Sequence, residues 1–141
     1  MSNPNCDYCG REAEKVSGED IYPRCRDLHH KTFYKCGPCH AWVGCHPGTD
    51  KPLGRLANRE LRLAKSAAHE AFDPLWKGRD APMVRTAAYA WLADELGIDR
   101  ADCHLGMFDV KQCRQTQRAA GAFMRNHRRQ VMKQQREAAN G

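Results

Sequence analysis

The sequence predicts an α+β fold with a small β-rich module in residues 1–48, a helical part in residues 49–122 and a basic tail in residues 123–141. Three observations support this. Two Cys-x-x-Cys pairs lie near the N terminus, β-prone segments flank the second pair, and helical periodicity begins after residue 48. We expect the β module to pack on the helical part, and the tail to be helical or disordered.

The two cysteine pairs are Cys6 with Cys9 and Cys36 with Cys39, separated by 26 residues. Four thiolates at this spacing are the ligand set of one tetrahedral, structural zinc ion. Paired disulfides would need an oxidising compartment, and the N terminus has neither the basic flank nor the apolar core of a secretory signal. A redox dithiol needs only one pair, and an iron–sulfur cluster is an alternative because spacing alone does not fix the metal. Zn²⁺ is therefore the expected cofactor.

The segments around the cysteines predict a zinc ribbon. The expected strands are residues 13–16, 19–22, 32–35 and 41–45. A treble clef, in which the second pair opens a helix, is the alternative, but Pro38 and the β-prone Trp42-Val43 favour the ribbon. Gly10 and Gly37 are expected to relieve backbone crowding at the two cysteine turns. So small a module buries little core, and the metal should supply much of its stability.

Three helices are predicted in the remaining chain. The first spans residues 53–72 with Thr49 or Asp50 as its cap, and the second spans residues 84–96 and ends at Gly97. The third begins at residue 110, with Asp109 as its cap. Each predicted helix carries apolar residues at three- and four-residue spacing, which indicates one buried face. No apolar run reaches the length of a membrane span, so we expect no membrane partner. The thiol usage fits a reducing cytoplasm, which is the expected location.

Positive charge is concentrated at the C terminus. The net charge is +6, and residues 110–141 alone carry eight basic side chains and one acidic one. This asymmetry indicates an acidic partner, most often nucleic acid, DNA or RNA, bound through its phosphates. A solvated helix face and a soluble tail are the simpler interpretation. The side chains expected to contact phosphates are Arg55, Arg59, Arg62, Lys65, Lys111, Arg114, Arg118, Arg125, Arg128, Arg129 and Lys133.

Histidines provide the enzymatic alternative. A metal-dependent nuclease or hydrolase would use His46 and His104, each of which follows a cysteine, with His69 and Asp109 as further candidates. The compact acidic and histidine signature of such nucleases is missing from the sequence. Residues 92–107 also resemble a helix-turn-helix, although Asp102 in the expected recognition helix suits DNA poorly. A non-enzymatic role is therefore favoured.

Several motifs resemble one family of small bacterial and phage proteins, the zinc-finger-containing domain. They are Cys-Asp-Tyr-Cys-Gly, Cys-Gly-Pro-Cys-His-Ala-Trp-Val-Gly-Cys-His, Pro-Leu-Gly-Arg-Leu-Ala-Asn, Ala-Phe-Asp-Pro-Leu-Trp-Lys and Cys-His-Leu-Gly-Met-Phe-Asp. The resemblance covers residues 4–120 and leaves the basic tail outside. It implies zinc at the four cysteines and a bacterial or phage origin, but no reaction. A phage factor that binds and redirects a host protein complex is the third functional hypothesis.

Overall fold

The computed structural model describes residues 3–140, and its fold is α+β, as predicted. The chain forms two compact units, of which the first ends at Leu63 and the second begins at Ala64. The regular elements are β1 (Glu14–Ser17), α1 (Gly18–Ile21), β2 (Thr32–Cys36), β3 (Ala41–Gly44), α2 (Arg59–Phe72), α3 (Arg85–Leu96) and α4 (Val110–Asn140).

The first unit is built on a three-stranded antiparallel sheet in the order β1-β2-β3. Tyr34 in the central strand pairs with Lys15 on one side and Val43 on the other. The predicted strands that became β2 and β3 are confirmed, but the strand expected at residues 19–22 is wrong. Residues 19–21 belong to α1 instead, because the Gly18 amide donates to the Lys31 carbonyl and the chain then closes one helical turn with the Tyr22 amide on the Gly18 carbonyl.

The second cysteine pair lies at the turn between β2 and β3, with Cys36 ending β2 and Cys39 in the turn, so this hairpin has the strand–turn–strand arrangement of a zinc ribbon. The residue after each pair adopts a left-handed conformation, with φ of 77° at Gly10 and 50° at His40. The expectation for Gly10 is therefore confirmed. That for Gly37 is wrong, because the strain of the second turn lies at His40, a residue that tolerates this region only at some cost.

The helix α2 begins at Arg59, six residues later than predicted. The preceding segment bends at residues 53–55 and then returns to the sheet, where Trp42 and Ala57 exchange two backbone hydrogen bonds of 3.1 and 3.0 Å. The cap is Asn58, whose Oδ1 accepts from the Leu61 amide at 3.0 Å, rather than Thr49 or Asp50. The apolar periodicity continues into this non-helical segment, which made the predicted helix too long.

The second unit is helical. Gly97 ends α3 in the left-handed conformation, as predicted. Two short 3₁₀ turns, Arg100–Asp102 and Leu105–Met107, fill the link to α4, so the expected recognition helix of a helix-turn-helix does not form. The fully buried side chains of this unit include Phe72, Leu75, Leu92, Phe108 and Cys113.

The longest element is α4, with 31 residues. Asp109 caps it, since its Oδ1 accepts from the Gln112 amide at 2.8 Å while Gln112 Oε1 accepts from the Asp109 amide at 3.1 Å. The helix continues through the predicted tail to Asn140. None of the helices within residues 3–140 combines the length and apolarity that crossing a membrane requires.

Candidate metal centre and basic helix face

The four predicted cysteine ligands come together in the first unit. The Sγ atoms of Cys6, Cys9, Cys36 and Cys39 all lie within 4.8 Å of one another, and those of Cys9 and Cys36 are 3.6 Å apart. A tetrahedral zinc ion with Zn–S bonds of about 2.3 Å places its sulfurs about 3.8 Å apart. The cluster therefore fits one zinc ion. Within residues 3–140 it is the one such group of three or more metal-binding side chains.

Two of these ligands also belong to the small core of the first unit. Cys6 and Cys36 are buried with Tyr34, Val43 and Leu56. Backbone hydrogen bonds shape the first turn, where the Cys6 amide donates to the Arg11 carbonyl at 2.7 Å and the Gly10 amide donates to the Cys6 carbonyl at 2.8 Å. Binding a metal would therefore join the first turn to the hairpin and close this core.

The cluster favours one thiolate before a metal binds. A hydrogen bond from the Arg11 backbone lowers the pKa of Cys9 to about 7, and hydrogen bonds from neighbouring thiols add to this. The pKa of Cys39 is raised to about 12, mainly by its hydrogen bond with Cys9 and secondly by desolvation. Four closely spaced thiols resist holding several negative charges until a divalent cation balances them. Zinc would therefore displace protons as it binds.

The histidines of the enzymatic alternative are at the surface. His46 is exposed beside a pocket of about 330 Å³ that His30 and Thr49 also line, whereas His104 is exposed in the second unit. The cysteine before His46 is half-buried and the one before His104 is buried, and desolvation raises the pKa of both thiols. Neither histidine belongs to a cluster of metal ligands in the described part of the chain.

Three of the four basic residues expected around the first helix make contacts inside their own unit. Arg55 lies before the helix, with Nε 3.1 Å from a carboxylate oxygen of Asp7. The Arg62 guanidinium lies 3.6 Å from the centre of the Trp42 ring. Lys65 donates to the Gly106 carbonyl at 2.6 Å.

Arg62 also bridges two backbone carbonyls. Its Nη1 donates to Ala57 at 2.6 Å and to His40, in the second cysteine turn, at 3.2 Å. Burial lowers the pKa of this guanidinium. These contacts hold Arg62 against its own unit, and sequence reasoning missed them because nothing in the spacing indicates that Arg62 and Trp42 meet. Arg59, in contrast, is exposed at the start of α2.

The basic residues of α4 share one face of that helix. At about 100° per residue, all eight fall within an arc of about 140°. The arc is centred about 160° from the buried residues Cys113, Thr116 and Ala120. Arg114, Arg118 and Arg125 line a shallow groove of about 560 Å³. We call this surface the basic face: Lys111, Arg114, Arg118, Arg125, Arg128, Arg129, Lys133 and Arg136.

The comparisons with known proteins agree with the metal centre. A family model described as a zinc-finger-containing domain matches residues 2–126. The match includes all four cysteines and the first part of α4. No curated protein and no solved structure matches the chain.

Proposed function

The chain belongs to the zinc-finger-containing domain family, and we propose that it is a non-enzymatic protein that binds nucleic acid through the basic face of α4. The observation that carries the proposal is the segregation of charge on this helix. Eight cations lie on the side opposite the buried residues, and no acidic residue interrupts them between Asp109 and Glu137.

The length of the basic face suits a polyanion. From Lys111 to Arg136 the helix rises about 37 Å, at 1.5 Å per residue. Phosphates recur along one strand of a duplex every 3.4 Å or so, which lets several side chains act at once. Such contacts supply affinity without reading sequence, and each one releases condensed counterions. Binding should therefore weaken steeply as salt is added.

The zinc ion has a structural role in this proposal. Four cysteines complete a tetrahedral shell and leave no coordination position for water or substrate. The metal would hold the two cysteine turns and the core of the first unit together. Because thiolate ligands persist in reducing surroundings, we also propose a cytoplasmic location, in a bacterium or a phage-infected cell.

Fluorescence anisotropy with labelled duplex DNA, single-stranded DNA and RNA, each at several salt concentrations, tests the proposal. If five cations contact phosphates of B-form DNA, the logarithm of the affinity falls with the logarithm of salt concentration with a slope of about −4.5. The double variant Arg118→Gln/Arg125→Gln should flatten this slope by about 2. No binding to any of the three at low salt would overturn the proposal.

A matched control removes the same charge elsewhere. Lys77→Gln/Arg79→Gln changes two exposed cations of the second unit that lie outside α4, and the slope should stay close to that of the wild type. An equal loss in both double variants would mean that net charge, rather than the basic face, drives binding. A bacterial protein that co-purifies after nuclease digestion would instead favour an acidic host protein as the partner.

A further inference from the structure

We propose that the distal segment of α4, residues 128–140, lies in the major groove of B-form duplex DNA, where Gln130 and Gln134 contact base edges. The inference rests on the proposed function. It adds to that function a duplex ligand, a groove and a means of recognising sequence.

The helix stops packing before the distal segment begins. The last aromatic contact with α3 joins Phe123 and Trp91, whose ring centroids are 5.3 Å apart, and His127 then stacks on Phe123. Every residue of the distal segment is exposed except Val131, which is half-buried. The distal segment therefore presents nearly its whole circumference to a ligand.

The charge pattern around the start of the distal segment also suits a polyanionic ligand. Arg125, just before the distal segment, and Arg129 and Lys133 within it follow one another at four-residue spacing, and like charges at this spacing destabilise a helix. A polar helix that gains little from packing is marginal in water. Phosphates beside these cations would remove the repulsion. We therefore expect the distal segment to become more strongly helical when DNA binds.

Two amide side chains share another face of the distal segment. Gln130 and Gln134 are four residues apart and exposed, on a side about 120° round the helix from Arg129, Lys133 and Arg136. When the cations lie along one phosphate strand, this angle turns the amides towards the groove floor. A glutamine amide can donate to and accept from the adenine edge in the major groove at the same time.

The dimensions favour DNA over duplex RNA. A helix with its side chains is about 10–12 Å across, and the major groove of B-form DNA is about 12 Å wide. The 13 residues of the distal segment extend about 20 Å, which corresponds to about six base pairs. The major groove of A-form RNA is too deep and narrow to admit a helix.

Selection from a library of duplex DNA with a randomised core tests the inference. The zinc-loaded, full-length protein should enrich a motif with adenine at the two positions that Gln130 and Gln134 read, with a preference of about tenfold at each. The variant Gln130→Ala/Gln134→Ala should still bind the DNA library, with a similar dependence of affinity on salt. It should no longer enrich the motif. The control Gln117→Ala/Gln135→Ala removes two exposed amides from a different helix face and should keep the motif.

The possible outcomes separate this inference from the proposed function. If the wild type retains duplex DNA without enriching any motif, the sequence readout is wrong while nucleic-acid binding stands. If duplex RNA binds as tightly as duplex DNA, the major-groove placement is wrong. If no nucleic acid is retained at low salt, both proposals fail. Amide hydrogen exchange in the distal segment should slow when DNA is added, and unchanged exchange would contradict the insertion of the segment into the groove.

Discussion

Removing the Arg62 side chain should destabilise the first unit by about 3 kcal/mol. Its stacking on Trp42 is worth about 1 kcal/mol at a half-buried site. A hydrogen bond from a charged donor contributes about 1.5–3 kcal/mol. We use the lower end of this range, counting the 2.6 Å bond to Ala57 in full and the exposed 3.2 Å bond to His40 in part. The loss should therefore exceed that of an ordinary surface arginine several-fold.

Native-state hydrogen exchange of zinc-loaded Arg62→Ala measures this loss locally. The reporters are the amides of Trp42 and Ala57, which bond to each other's carbonyls beside the guanidinium. A loss of about 3 kcal/mol accelerates their exchange about 150-fold. Arg62→Lys, which keeps a cation near the ring but loses the planar donor group, should lose about half as much.

Arg59→Ala is the matched control, because Arg59 is an exposed arginine three residues earlier in α2. It should change stability by less than about 0.5 kcal/mol. If Arg62→Ala and Arg59→Ala accelerate exchange equally, the contacts of Arg62 contribute nothing to the fold. The arginine would then be as available for phosphate contacts as the sequence suggested.

Four further outcomes are expected. Gly18→Ala should prevent the first unit from folding, measured by its loss of zinc, because a β-carbon there would overlap the Leu28 carbonyl. Gly121→Ala should raise the free energy of unfolding by about 0.5–1 kcal/mol in a urea titration, because an added methyl meets only a flexible side chain; a loss of stability would contradict this. Zinc binding at pH 7 should release about three protons, and the affinity for zinc should fall as pH falls. Calorimetry in buffers of different ionisation enthalpy measures the proton release. Cys36→Ser removes one thiolate ligand and should also weaken zinc binding. Supercoiled plasmid with magnesium should stay intact, and nicking abolished by His46→Ala would favour the nuclease alternative.

The metal centre was the part of the site most accessible from sequence. Ligand spacing is a local property, because two residues between cysteines let one tight turn direct both sulfurs at one ion. The strands beside the second pair followed from local preference as well. The helix α3 was predicted almost to the residue because Gly97 ends it.

The predictions that failed depended on distant contacts. Residues 53–57 have a helical apolar pattern, but Leu53 and Ala57 form backbone hydrogen bonds with β3. Residues 19–22 look β-prone but follow Gly18 into a helical turn. In both cases a backbone hydrogen bond to a residue far along the chain decided the local conformation. Periodicity carries no information about such partners.

The sequence by itself determined the four ligands, the α+β class and the concentration of positive charge, because each depends on residue identity and short spacing. Only the tertiary structure decided how the cations are used. Folding places Arg62 on Trp42 and Lys65 on a carbonyl, whereas a single continuous helix gathers the C-terminal cations on one face. Two arginines of equal charge acquire different roles because an aromatic ring and two carbonyl oxygens surround one of them, and solvent surrounds the other.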